Sequence, residues 1–420
     1  MLGKYLTSEK GQSVVLLAVA FVVLLGFTAL AIDGGMVYAD RRFAQNAADT
    51  ASLAGGGAAA LKMENEAIEE KTFSCTSSKV AKAATAAVTD AIYRAGDNGF
   101  LIDPEISDEH GVTVDCGVDN SGPYPKHYLD VLVKIKMETR TAFAHFVYGG
   151  KLENKVTAVT RVYPRIPMVY GNAIVSLNPA ACSGQTNGAN FHGSASVYVV
   201  GGDVYTNGCL NGSGQPFVLV ADQEIKYGGE FVPGNTSWTP NPTFSTDLIP
   251  DTEYAIDIQQ NCGHGSANNL TANQFESSSP LSPGLYCVTG NVSLNGGTFQ
   301  GDGVTIVLLD GELRINGNVT VQLTAPSPTP DPYPAIAGML VYAPPTNHND
   351  LEFNGTSDSY LTGTILAPGS RINMLGTGSQ TAFQSQVIGW NVEVGGTADT
   401  YVNYDDDLNV KIPATLRLQK

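Results

Sequence analysis

Positive charge is scarce over most of this 420-residue chain. Residues 168–420 carry 6 Lys and Arg against 21 Asp and Glu, residues 1–167 carry 17 against 19, and the net charge is −17. Nucleic-acid binding draws on Lys and Arg to displace phosphate counterions, so an acidic surface of this kind argues against it, and no nucleic-acid partner is expected. The simplest role of the acidic side chains is to keep a large domain soluble. The chain also lacks C-x-x-C and H-x-x-x-H spacings, and His110, His127, His145, His192, His264 and His348 form no metal-ligand pattern. Neither G-x-S-x-G nor a phosphate loop occurs. No cofactor, metal or catalytic residue is therefore expected.

What the chain does have is concentrated at its start. Residues 14–32 form an unbroken apolar run, with Val14, Leu17, Phe21, Leu24, Phe27 and Ile32 among them. A run of this length crosses the roughly 30 Å hydrocarbon layer as a helix. It is too long for a removable leader, whose apolar region spans about 7–15 residues, although the small residues from Ala29 to Ala31 leave cleavage as the rival reading. Lys4 and Lys10 precede the run and Arg41 and Arg42 follow it, so the positive-inside bias barely decides orientation. Cysteine decides it. Cys75, Cys116, Cys182, Cys209, Cys262 and Cys287 all follow the run, and an even count in loop-rich sequence suits an oxidising compartment. Residues 1–13 are then a cytoplasmic head, 14–32 a transmembrane helix, and 33–420 extracytoplasmic, which places the chain at the cell membrane with its bulk at the cell surface. Six cysteines allow 15 pairings. Pairing neighbours, Cys75 with Cys116, Cys182 with Cys209 and Cys262 with Cys287, closes the shortest loops and keeps each bridge inside one candidate domain.

At the exit of the span stand Asp33, Gly34 and Gly35. A carboxylate is costly in hydrocarbon and glycines permit a bend, so the helix is expected to change direction or solvent exposure there. Beyond it Met36, Phe43, Ala47, Ala51 and Ala54 recur at spacings that give a narrow helical stripe of mostly small side chains through residues 33–61. Gly11 and Gln12 before the span, Ile32-Asp33-Gly34-Gly35 at its exit, and the run containing Gln45, Asn46, Asp49 and Leu53 resemble the N-terminal signature of TadE/TadG-like proteins of the tight-adherence (Tad, Flp-type) pilus system. The resemblance covers residues 1–60 and continues more loosely over the next hundred. It implies a pilin-like helix whose partners are the membrane and other pilin-like or Tad-system subunits.

Two departures matter. Class III pilins are cut after a Gly, with Glu fifth in the mature chain. A cut after Gly3 puts Ser8 there and Glu9 one later, and a cut after Gly11 puts Leu16 there, so the head is expected to be retained. Many TadG-like proteins also carry a von Willebrand A domain with an Asp-x-Ser-x-Ser metal site. That string is missing, and metal-dependent adhesion of that kind loses its support.

Residues 62–167 read as a small α+β domain with an antiparallel sheet. Val80, Ala83, Ala84, Ala87, Val88, Ala91 and Ile92 share one helix face over residues 79–95. Strand patterns follow at 112–114, 128–137 and 156–162, with an aromatic segment at 143–150. Pro164 and Pro167 then mark a linker into an all-β text, punctuated by Gly, Asn, Ser and Thr, with helical periodicity surviving only near 251–260.

That text repeats. The segment 337–344 recurs at 361–368 and 384–389, about 24 residues apart, and 351–355 recurs at 372–376 and 392–396, about 20 apart. Two interleaved strand series of this period are what a parallel β-solenoid produces, one strand per face per coil; a β-sandwich is the alternative. The expected architecture is α+β overall: a first part of the β domain at 168–238, a Pro-rich excursion loop at 239–283, a β-solenoid at 284–410 and a tail at 411–420. Five prolines within 326–334 read as a stiff external loop.

Enzymatic β-helices exist, and acidic pairs are what such an enzyme would use. Asp310 and Glu312 would share a strand face, and two carboxylates about 5–9 Å apart can run glycoside hydrolysis. A solvated strand face explains them equally. Asp405, Asp406 and Asp407 offer carboxylates for calcium, yet consecutive strand residues point to opposite faces, which favours an acidic stop. Six sequons, at Asn211, Asn235, Asn269, Asn291, Asn318 and Asn354, are about what composition alone gives. The reading that results is a structural and adhesive surface subunit, with surface glycans or a neighbouring cell surface as its target. The alternative is a membrane-tethered carbohydrate-active β-helix enzyme.

Overall fold

The computed structural model describes residues 10–104, 110–121, 124–144, 152–183, 187–249, 258–328, 332–376, 380 and 382–419. Residues 1–9 of the head, with Gly3 and Ser8, and His145 lie outside the described residues. The chain forms two compact units, the first comprising Met1–Asn120, Pro125–Arg165 and Pro413–Lys420, the second Ser121–Tyr124 and Ile166–Ile412.

The first unit is built on one helix, α1 (Lys10–Asn65), without interruption at Asp33. Its second half and α2 (Ser78–Asp97) pack on an antiparallel sheet of β1 (Gly111–Asp119), β2 (Lys126–Thr139) and β3 (Leu152–Tyr163). Period-2 alternation turns Leu129, Val131, Val133 and Ile135 of β2, and Val156, Ala158 and Val162 of β3, toward the helices. In α2 the apolar face is Val80, Ala83, Ala87, Ala91 and Ala95, and the Ser77 hydroxyl caps its start by accepting from the Lys79 N–H at 3.3 Å. Ala84, Val88 and Ile92 are only partly buried. The fourth strand of the sheet is Thr415–Gln419, antiparallel to β3. The last ten residues are therefore not a free tail. Lys411–Ile412 also pairs, with Ile166–Pro167, where the chain enters the second unit.

The second unit is a parallel β-solenoid with three strands per coil rather than two. Each strand is short and β-branched, and buries alternate side chains, as in Val197 and Val199 or Val218 and Val220. Coils repeat at about the expected interval: Asn211 sits over Asn190, 21 residues away, and donates to its side chain at 3.0 Å. The two repeat series read from the sequence are in register in the structure, with Leu351 against Ile372 and Ile372 against Val392, and Ile365 against Val387. At one corner glycines stack. Gly193 and Gly214 have φ of +97° and +82°, and a Cβ on either would come within 2.4 Å and 2.2 Å of the carbonyl oxygen of Gly396 and Gly193 respectively, so only Gly fits.

The winding order is not sequential. The chain starts in the middle of the stack at Ile174–Ser176, and winds outward through Val204–Thr206 and Ile225–Tyr227 to Thr243–Phe244. It resumes at the opposite end at Asn268–Thr271 and winds back through Gly284–Thr289, Val304–Leu308, Met339–Tyr342 and Thr364–Leu375 to Val387–Gly396. That strand closes the stack by pairing with Ile174–Ser176 and Ala189–Gly193. Residues 168–238 and 284–410 thus form one continuous ladder. The Pro-rich stretch 239–283 contributes to it as well, supplying the outermost strands Thr243–Phe244 and Asn268–Thr271 and a short helix, Ala272–Glu276, whose Ala272 and Phe275 are buried in the solenoid core. Those strands are two and four residues long and mostly polar, too short for a period to show.

Disulfides join Cys75 to Cys116, Cys182 to Cys209 and Cys262 to Cys287, with Cα–Cα distances of 5.8, 4.8 and 6.0 Å. Each lies within one unit.

Candidate functional site in the N-terminal helix

Residues 14–32 of α1 stand exposed apart from half-buried Ala29: Val14, Leu17, Phe21, Leu24, Phe27 and Ile32 are 43–73% exposed. Within 14–32 the one hydroxyl, Thr28, donates to the Leu24 carbonyl at 2.9 Å, so it needs no water. A large apolar side chain left in water forgoes about 1.5–3 kcal/mol of burial, and the whole face asks for lipid or for other helices.

At Asp33 the helix keeps its direction and changes its surroundings. Asp33 is 5% exposed, and its carboxylate accepts the backbone N–H groups of Ala142 (2.6 Å), Phe143 (3.2 and 3.1 Å) and Ala144 (2.5 Å). Successive amides cupped around an anion satisfy a charge that would otherwise be costly to bury. This is the first point at which the rest of the unit grips the helix. Gly34 and Gly35 are exposed, and a Cβ on either would meet nothing within 4 Å. Between this grip and the buried portion lies an exposed collar of Met36, Tyr38, Arg41, Arg42 and Phe43.

From Ala44 onward the helix is buried along a stripe of Ala44, Ala47, Ala48, Ala51, Ala59, Ala60 and Met63. Small residues are required here by distance. A Cβ on Gly55 would lie 2.7 Å from the Ala87 carbonyl oxygen and 3.0 Å from Val131 Cγ1, and one on Gly56 would lie 2.5 Å from Thr160 Cγ2. The Gln45 amide donates to Asp49 at 2.8 Å and to the Thr157 carbonyl at 3.1 Å, and Thr160 Oγ1 bonds Ser52 Oγ at 3.0 Å beneath the helix. Leu53 is half-buried, and Asn46 faces outward. The structure therefore divides the signature residues. Asp33, Gln45, Asp49 and the small stripe fasten the helix, whereas Gly34, Gly35 and Asn46 lie open. Gly11 and Gln12 belong to the first turns of α1.

Two fastening groups have no counterpart in the sequence reading. Asn154, at an inward position of β3, donates to the Val37 carbonyl (3.3 Å) and to Thr139 Oγ1 (2.8 Å). A polar residue on the apolar side of an alternating strand was the available signal. The loop amides at 142–144 carried none. On the opposite face of the sheet Arg161 forms two 2.8 Å bonds with Asp130, which hold its guanidinium above even the usual range despite partial burial.

Residues 11–60 match the Tad family model, described as Flp pilus-assembly TadE/G-like. The stem helix is TadE/G-like. No curated protein and no solved structure matches the chain. The match thus covers the apolar span, Asp33 and most of the small-residue stripe, while the loop amides that hold Asp33 and the solenoid stand outside it.

The remaining candidates from the sequence do not assemble into a site. Asp310 and Glu312 lie in the corner before Leu313–Ile315 rather than on a strand face; Asp310 accepts from the Gly290 N–H at 2.6 Å, and Glu312 lies 3.5 Å from Arg314. Asp405 caps a short 3₁₀ turn by accepting from the Asp407 N–H at 3.0 Å, and Asp407 pairs with Lys411 at 2.8 Å. Among the described residues no three His, Cys, Asp or Glu converge as a metal site.

Proposed function

We propose that this chain is a single-pass, pilin-like structural subunit of a Tad-type pilus or a related cell-surface assembly, with a cytoplasmic head and residues 33–420 outside the cell. The observation that carries the reading is one uninterrupted helix, matched by the TadE/G-like model, that is apolar and bare over 13–32 and locked into a folded unit from Asp33 on. Three disulfides placed after the span support the orientation. The partners of the bare segment are lipid or like helices of other Tad subunits, which offer Leu and Phe side chains similar surroundings. The acidic solenoid serves as the adhesive part, and a distal domain of this size suits a minor or tip subunit.

Protease shaving of intact cells, with thiol alkylation before and after reduction, tests this. Digestion of residues 168–412 from outside, with no free thiol before reduction, is the expected result. Full protection together with six alkylatable thiols refutes the proposal. A photo-crosslinker at Leu24 then separates the two environments, by capture of either lipid or another subunit.

A further inference from the structure

We propose that one face of the solenoid binds a neutral polysaccharide, an inference that rests on the solenoid's display outside the cell. The face is the sheet of eight parallel strands at 237–239, 217–221, 197–200, 400–403, 383–384, 360–362, 319–324 and 297–301. None of these strands contains Asp, Glu, Lys, Arg or His, in a region with 21 acidic and 6 basic residues. Elsewhere on the solenoid charges stand in the strands and answer one another across neighbouring coils, Arg314 to Glu352 at 3.5 Å and Arg371 to Glu393 at 3.6 Å.

Inward positions of the charge-free sheet fill the core, so the alternate positions form the outer surface. The strand register sets them in rows. Gln300, Gln322 and Tyr360 follow one another across three neighbouring strands, and Tyr401, Tyr198 and Leu219 across three more. The rings of Tyr198 and Tyr401 stack with centroids 4.8 Å apart and planes 12° from parallel. Side-chain amides and phenol hydroxyls both donate and accept, as sugar hydroxyls do. Aromatic and aliphatic surface suits the C–H faces of pyranose rings. Fixed charge stands at its rim, where Asp302 accepts from the Thr324 hydroxyl at 3.2 Å, and none stands in its strands, so no ion within the strands has to be stripped of water when a neutral chain docks. An anionic polymer would instead meet the field of the surrounding carboxylates.

Shape separates a polymer from a second copy of the protein. Eight strands at about 4.8 Å spacing and about four residues at 3.3 Å make a strip of about 34 by 13 Å, roughly 450 Å². A standard protein interface takes about 800 Å² from each partner. The strip is too narrow for that, and it has the proportions of an extended chain.

The test uses the full chain in detergent micelles, probed with neutral glucan and mannan hexasaccharides and with a polygalacturonate hexasaccharide as the anionic comparator. Binding of a neutral probe and rejection of the anionic one is expected. Tyr198→Ala with Tyr401→Ala should weaken that binding at least tenfold. Gln322→Glu, at a half-buried position facing away from the core, should weaken it at least fivefold, and Glu352→Gln on the ion-paired sheet should leave it unchanged. The inference is overturned if neither neutral probe binds, if binding survives both face variants, or if the face variants abolish self-association in place of glycan binding. These readouts come from purified protein and do not depend on its topology in cells, so failure here is distinguishable from failure of the pilus reading.

Discussion

The two halves of α1 differ in hydropathy and, among their apolar residues, in side-chain volume. Residues 14–32 carry Val, Leu and Phe that stand exposed, while residues 44–63 carry a stripe of Ala, with Gly55 and Gly56, that is buried against the rest of the unit. Hydropathy marks the first half as the span, since the second carries Gln45, Asn46, Asp49 and Lys62, but it does not say why the Ala and Gly of the second half are buried. Volume does, because large side chains keep helices apart and fill lipid or a loose bundle, whereas small ones let a helix approach a sheet until backbones nearly touch. The changeover begins at Asp33, where a carboxylate that would be costly in lipid becomes the anchor for three loop amides, and is complete at Ala44, about three turns on.

The strongest way to break this comparison is to exchange the volumes. Gly55→Val pushes against the Ala87 carbonyl oxygen, which belongs to backbone and cannot rotate away. It should cost more than about 3 kcal/mol and release α2 from α1, read as loss of the cooperative thermal transition of the first unit. Gly34→Ala, in the same helix, meets nothing within 4 Å and should stabilise by about 0.5–1 kcal/mol through helix propensity alone. Equal effects at the two positions would show that close approach is not why the stripe is small.

Asp33→Ala is the next largest change. Removing the carboxylate leaves the N–H groups of Ala142, Phe143 and Ala144 without that acceptor, at a cost of about 1–3 kcal/mol. Faster amide exchange at 142–144, with α2 unaffected, would locate the loss in the grip rather than in the stripe.

Asp203 in the solenoid sharpens the point by contrast. The Glu224 N–H donates to this half-buried carboxylate at 2.8 Å. Burial pushes its pKa above the ordinary carboxylate value, more than that bond and nearby Lys226 pull it down. The folded chain therefore keeps a proton that the unfolded chain has lost, and stability falls as pH rises from the unfolded value through the folded one. Asp203→Asn keeps an acceptor and removes the charge. It should raise the Tm slightly at pH 7 and leave it unchanged below about pH 4, where both states are protonated. A variant less stable than the parent at pH 7 would show that the charge is compensated after all.

Much of this was legible in the residues themselves. The apolar run, the small stripe and the two repeat series with Leu351, Ile372 and Val392 in one column each carry a period longer than one element, and the structure keeps them. The third sheet was not legible. Phe383–Gln384 and Thr400–Asn403 are too short to show alternation, and their pairing depends on neighbours a full coil away. The same holds for Thr415–Gln419, whose sheet partner lies far upstream in β3. The grip on Asp33 was half legible. A carboxylate at the end of an apolar run is conspicuous, but backbone amides at 142–144 have no side-chain identity to read.

The smallest expected effect is the most discriminating. Leu24 is 63% exposed and contacts no other element, so Leu24→Ala opens no cavity and should change the stability of the solubilised first unit by less than about 0.5 kcal/mol. The same truncation at a packed position such as Leu129 should cost about 2–5 kcal/mol. What Leu24→Ala removes is apolar surface offered to the surroundings, at about 0.8 kcal/mol per methylene, so its cost appears only in membrane retention or in crosslinking to other subunits. A drop of more than about 1 kcal/mol in the isolated unit would mean that residues 13–32 pack against their own fold, and the helix would then have one environment along its length instead of two.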